Sequence, residues 1–176
     1  MQGATVGMIL AASTAVTAPA HAAADCRGGG VEYEVAPDRA REALLCELNA
    51  TRRSHDAGRL RVQDELGQAA QRHASDMRRR GYFGHESPGG NEVGDRLQRA
   101  GYTLAGCRWS AGEILAWGVG ARSTPASLVD AWMDSPPHRR VLLSDRYRGV
   151  GIGLRAGTPF GARGVTAAAV LGSRSC

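Results

Sequence analysis

The chain has no lysine. All 22 of its basic residues are arginine, and they exceed the 17 acidic residues by five charges. It also has only two phenylalanines and no stripe in which aromatic and basic residues alternate. A nucleic-acid-binding surface usually combines clustered positive charge with such aromatic groups or with a known motif. We therefore interpret the net charge as a solvated basic surface and predict no nucleic-acid partner.

Long apolar runs are also missing, apart from one near the amino terminus. Residues 6–20 are apolar or small and uncharged, and Ala20-His21-Ala22 and Ala22-Ala23-Ala24 both fit a small-x-small cleavage site. This pattern predicts a secretory signal peptide over residues 1–24, although no lysine or arginine precedes the apolar run. The run is too short and too rich in alanine and threonine for a transmembrane helix. We expect a secreted monomer without a membrane span, either extracellular or associated with the cell envelope.

Cysteine is scarce, and its spacing fits no zinc ribbon. Four cysteines follow the predicted cleavage site, and an even number in an exported chain favours two disulfide bonds. Three pairings are open from the sequence. We prefer Cys26–Cys46, which would tie an amino-terminal arm over residues 25–36 to the first helix, and Cys107–Cys176, which would anchor the carboxyl-terminal end.

Helical and strand periodicities alternate along residues 37–176, which we predict to form one domain. Pro37 opens the first helix and Gly81 stops the second. Leu60 and Val62 are predicted to bracket a turn. Helices that flank a small sheet, whose strands come late in the sequence, indicate an α+β domain. We predict an α-β-α sandwich with a mainly antiparallel sheet. The predicted helices cover residues 37–55, 64–80, 93–100, 124–133 and 138–143, and the strands cover 109–117, 147–155 and 164–172.

Three central segments carry the titratable side chains that could do chemistry. They read GYFGHESP at 81–88, GEI at 112–114 and WMDSPPHR at 132–139. They supply two histidines, His85 and His138, and one carboxylate, Glu113. Each lies close to a glycine or proline turn.

The order and flanks of these segments resemble the CAP superfamily, which comprises cysteine-rich secretory, antigen 5 and pathogenesis-related-1 proteins. The resemblance runs from about residue 43 to residue 171 and is strongest to the short secreted bacterial branch. Ile114 stands in place of the asparagine of the family's Gly-Glu-Asn strand, and Pro137 in place of the glycine of its Trp-x-x-Ser-Pro-Gly-His-Arg element. Further similar pieces are LNATRR at 48–53, DRL at 95–97, AGY at 100–102 and GIG at 151–153.

This resemblance implies a cleft that animal and plant members line with two histidines and two glutamates. His85, Glu113 and His138 match three of these positions, and Ser135 stands where the second glutamate would be. The resemblance also implies diverse ligands across the family: sterols and other lipids, divalent metals and protein partners. It implies no single activity for the bacterial branch.

The same residues leave several functions open. Two neutral imidazoles can hold a divalent metal such as zinc weakly, with the remaining positions open, and no cofactor is required. Glu113 can orient a histidine and fix its tautomer. With Ser135, the trio also looks like a nucleophile, base and orienting group. We predict binding of an extracellular ligand, metal or partner through the cleft.

The alternatives are a hydrolase of peptide or cell-wall bonds that uses His85, Glu113 and His138, and a structural envelope protein without a ligand. No residue is assigned as catalytic, because no group for stabilising an oxyanion is identified and no Gly-x-Ser-x-Gly elbow surrounds Ser135. His73, on the apolar face of the second helix, is interpreted as a core histidine.

Overall fold

A computed structural model describes residues 26–176 of the chain. The predicted signal peptide at 1–24 lies outside these residues. The helices are α1 (Pro37–Ser54), α2 (Asp64–Arg80), α3 (Val93–Arg99), α4 (Pro125–Asp134) and α5 (Pro136–Leu142), with a 3-10 turn at Gly120–Ser123. The strands are β1 (Arg61–Val62), β2 (Arg108–Gly118), β3 (Gly149–Ala156) and β4 (Val165–Ser175).

The four strands form one sheet in the order β1-β3-β4-β2. β4 pairs antiparallel with both β2 and β3, whereas β1 pairs parallel with β3. The predicted α+β class and mainly antiparallel sheet are therefore confirmed. Arg61 and Val62 pair with Gly149 and Val150, so the predicted turn between Leu60 and Val62 was wrong. Two residues are too few to show an alternating pattern, and only pairing with a distant strand makes this segment extended.

Helices cover both faces of the sheet and give it two cores. One core packs α1, α4 and α5 against the sheet through side chains such as Leu44, Trp132 and Ile152. The other packs α2 and α3 through Leu66, Met77 and Leu97. This arrangement is the predicted α-β-α sandwich. Among the described residues, no helix is long and apolar enough to cross a membrane.

α2 lies unusually close to β3 because two strand residues have no side chain. A Cβ atom at Gly151 would lie 1.9 Å from the backbone of Leu66, and one at Gly153 would lie 2.3 Å from the backbone of Ala70. Any larger residue would push the helix away from the sheet. These glycines therefore serve helix–sheet packing, in agreement with their interpretation as strand residues.

Both predicted disulfides are present. Cys26–Cys46 links the amino-terminal arm to α1, and Cys107–Cys176 links the start of β2 to the chain end. The arm also binds the α4 region, where Ala126 N donates to Gly29 O at 2.9 Å. None of the cysteines in the described residues is free.

Candidate functional site

His85 lies in the loop that follows α2. Gly81 ends that helix in a left-handed conformation with φ of 70°, which a residue without Cβ adopts at little cost. Further along the loop, Ser87 N donates to Asn91 O at 3.0 Å, and the buried Ser87 hydroxyl accepts from Asn91 N at 3.2 Å. The Ser-Pro-Gly-Gly segment is thus a closed turn, and His85 stands at its start with a side chain 58% exposed.

Glu113 is the centre of the site. It lies on the edge strand β2, and its side chain is only 2% exposed. Its Oε1 atom is 2.9 Å from Nδ1 of His85. Arg96 Nη2 donates to Oε1 at 2.9 Å and to Oε2 at 2.8 Å, and supplies the opposite charge that a buried carboxylate requires.

Arg96 joins three parts of the site. Besides Glu113, its guanidinium donates to the backbone carbonyls of His85 and Asn91, each at 2.9 Å. One buried side chain on α3 therefore holds both the strand carboxylate and the histidine loop. Arg96 belongs to the DRL segment at 95–97, which resembles the CAP superfamily, but this role was not predicted. Its only sequence signal was an arginine in the middle of a short helix, next to the apolar Leu97.

His73 was predicted as a core histidine, and it is buried, with both ring nitrogens close to hydrogen-bonding partners. Its Nε2 atom is 3.0 Å from Gly84 O and 3.7 Å from Oε1 of Glu113. The prediction missed this proximity to the site. The available signal was Gly81, because a helix stop there lets residues 82–85 fold back along α2 towards His73.

His138 reaches the site from α5, on the other face of the sheet. Its ring centroid lies 6.3 Å from that of His85, with the two rings tilted by 59°. Gly112 permits this approach, because a Cβ there would lie 2.8 Å from Cγ1 of Val141 and 2.9 Å from the Tyr147 hydroxyl. Burial lowers the pKa of His138, and the neighbouring His85 lowers it further, so the neutral ring is favoured.

Ser135 lies at the junction between α4 and α5, where it ends one helix and begins the next. Its carbonyl accepts a hydrogen bond from Arg139 N at 2.8 Å. Within residues 26–176, its hydroxyl makes no hydrogen bond to either His85 or His138. The structure therefore brings together His85, Glu113 and His138, but does not join Ser135 to them.

These side chains supply only some of the ligands that a metal ion needs. Because both oxygens of Glu113 accept from Arg96, the carboxylate is an acceptor towards His85, whose Nδ1–H must donate to it. Nε2 of His85 then carries a lone pair. His138 can supply a second imidazole. No cluster of three or more histidine, cysteine or acidic side chains suited to a metal occurs in the described part of the chain.

The buried histidine should make stability depend on pH. Burial lowers the pKa of His73 below 6.5, opposed in part by Glu113. The unfolded chain therefore takes up a proton at His73 at a higher pH than the folded chain does. We expect the free energy of unfolding to fall as pH drops below about 6.5, with His138 contributing in the same direction.

Chemical denaturation across pH 7.5 to 5 measures this effect. His73→Gln should flatten the decline. Equal slopes for wild type and His73→Gln would show that His73 is not responsible.

Both the fold and the site point to a class of α-β-α proteins that place two histidines beside a buried carboxylate. The model of the cysteine-rich secretory protein family, CAP, matches residues 45–162, a span that includes His85, Glu113 and His138. The chain belongs to this family.

Curated relatives are bacterial. Over 113 residues the chain is 31% identical to the uncharacterized protein YkwD of Bacillus subtilis, covering 64% of this chain and 41% of that protein. Over 111 residues it is 29% identical to the uncharacterized membrane protein YlbC of the same organism, covering 63% of this chain and 30% of that protein. The chain thus spans less than half the length of these relatives.

Solved structures share the fold. An extracellular protein containing an SCP domain from Bacillus anthracis is 25% identical, with a TM-score of 0.61, covering 77% of this chain and 43% of that one. An outer surface protein from Borrelia burgdorferi is 20% identical, with a TM-score of 0.63, covering 83% of this chain and 99% of that one. These neighbours are extracellular or outer-surface proteins.

Proposed function

We propose that this chain is a secreted binding protein whose ligand contacts the facing imidazoles of His85 and His138. The observation that supports this proposal is that His85 is both exposed to solvent and fixed in orientation. Its side chain is 58% exposed, yet Glu113 holds it in place from the buried side. A surface imidazole held in one orientation loses little side-chain entropy when a ligand binds. The extracellular neighbours and the two disulfides support a secreted location.

The chemistry of the two rings defines the simplest probe. Nε2 of His85 and one nitrogen of His138 are the lone pairs available, and both suit zinc. Water or groups of an organic ligand would fill the other positions. Arg96 and Glu113 would keep His85 oriented, as outer partners of ligating histidines commonly do. With two protein ligands, we expect weak zinc binding.

Zinc titration calorimetry tests this proposal. Wild type should bind one zinc ion, and His138→Ala should bind at least about tenfold more weakly. Binding should fade on acidification, because a protonated imidazole cannot ligate. Since the pKa of His138 is lowered, its own protonation should weaken binding only below pH 6.5.

His55→Ala is the matched control, since it removes an exposed imidazole at the end of α1. Its zinc affinity should equal that of wild type. Equal zinc binding by wild type and His138→Ala would show that the facing imidazoles are not the zinc site.

The hydrolase alternative requires Ser135 to act as a nucleophile. A nucleophilic serine needs a base within hydrogen-bond reach and donors for the oxyanion. The Ser135 hydroxyl has no such bond to a histidine in the part of the chain that the structure describes. We therefore expect Ser135→Ala to fold normally and to leave rates on peptide, ester and peptidoglycan substrates at the wild-type background. Turnover by wild type that collapses in Ser135→Ala would support the hydrolase instead.

A further inference from the structure

A cavity of about 440 Å³ lies between α2, α3 and the loop after α2. His85, Glu113 and His138 do not line it. Its lining includes five arginines, one histidine and a single carboxylate, Asp76. The arginines are Arg72, Arg79, Arg80, Arg96 and Arg99. Like charges this close together repel one another, and an anion bound in the cavity would relieve that repulsion.

Three of these arginines already have acidic partners. Arg79 and Arg80 share Asp76, at 2.5 and 3.5 Å. Asp76 also accepts the Tyr82 hydroxyl at 2.9 Å. Arg96 is paired with Glu113, which lies outside the lining. Asp76 and Glu113 are thus both already paired.

Arg72 and Arg99 lack an acidic partner among residues 26–176. Arg72 makes only two contacts at 3.5 Å, with the carbonyl of Arg99 and the amide oxygen of Gln68. Arg99 donates to the amide oxygen of Asn91. Arg72 lies on α2 and Arg99 on α3, so the two helices each present one exposed guanidinium without an acidic partner to the same cavity.

Arg96 adds an independent sign of an incomplete site. Its side chain is only 7% exposed, and its Nε–H has no hydrogen-bond partner in the described residues. A buried donor without an acceptor costs free energy, and such groups are rare in folded proteins. An anion in the cavity would add acceptor oxygens beside this arginine.

We infer that the cavity between α2 and α3 binds an organic phosphate, bridged by Arg72 and Arg99. Arginine pairs with phosphate through two parallel N–H bonds, and several guanidiniums around one anion suit a group with three acceptor oxygens better than a single carboxylate. The volume exceeds that of inorganic phosphate and falls within the range of small-molecule sites. Arg96 would connect this ligand to Glu113, because it lines the cavity and pairs with that carboxylate.

Isothermal titration of the full chain with glycerol 3-phosphate tests the inference, with inorganic phosphate and succinate as comparison ligands. Wild type should bind glycerol 3-phosphate at one site, and more tightly than succinate. Arg72→Gln/Arg99→Gln should weaken this binding by at least about tenfold, because two charge-assisted pairs are lost. Binding should also weaken as salt is raised.

Arg146→Gln is the matched control, because it removes one positive charge from an exposed arginine outside the cavity. It should bind within about twofold of wild type, because its charge is screened. Thermal unfolding checks that each variant is folded, and the single variant Arg72→Gln serves if the double variant is not. Zinc affinity should persist in Arg72→Gln/Arg99→Gln, which separates this cavity from the facing imidazoles. No binding by wild type, tighter binding of succinate, or an equal loss in Arg146→Gln would each overturn the inference.

Discussion

Arg96→Met should lower the free energy of unfolding by about 3–5 kcal/mol, because it leaves a buried carboxylate without its cation. Glu113 is 2% exposed, and Arg96 contacts both of its oxygens. Methionine preserves most of the aliphatic volume, so the loss reports charge and hydrogen bonding rather than a cavity. Urea denaturation followed by circular dichroism measures the change.

Two further variants test whether this loss of stability comes from the buried ion pair. Adding Glu113→Gln to Arg96→Met should restore at least about 1 kcal/mol, because the uncompensated charge is then removed. Arg163→Met is the control, since Arg163 pairs with Glu34 through a side chain 90% exposed. That exposed pair should contribute less than about 1 kcal/mol. A loss below about 1 kcal/mol in Arg96→Met would mean that the buried pair does not hold the site together.

Removing Cys107–Cys176 should destabilise the protein by about 4 kcal/mol, and removing Cys26–Cys46 by about 3 kcal/mol. The difference follows from the loop lengths, since the bridges span 69 and 20 residues. A longer closed loop restricts the unfolded chain more. Thermal unfolding of the two double cysteine-to-serine variants should place the Cys107–Cys176 variant at the lower melting temperature.

Mass spectrometry of the exported protein provides the accompanying check. Alkylation without reduction should add no label, and alkylation after reduction should label all four cysteines. Labelling of two cysteines before reduction would contradict the disulfide prediction. A reversed order of melting temperatures would show that local structure, rather than loop closure, dominates.

Local physics explains why much of the fold was predictable. Pro37 is compatible with the first turn of a helix, and Gly81 adopts the left-handed conformation that ends one. Apolar periodicity then identified the faces that pack on the sheet. The helix predicted at 64–80 agrees with α2, whereas the strand predicted at 164–172 extends to Ser175 as β4. That extension depends on pairing with Arg108–Gly118, a contact between distant segments.

The candidate site was likewise predictable from the sequence only in part. The sequence by itself singled out His85, Glu113 and His138 through the glycines and prolines beside them and through their order along the chain. Only the tertiary structure placed Arg96 and His73 behind Glu113, because those contacts join segments that no local pattern relates. It likewise placed Ser135 at a helix junction, where its hydroxyl makes no hydrogen bond to either histidine among the described residues. Charge compensation inside a protein depends on which side chains are buried together, and folding decides that through long-range packing.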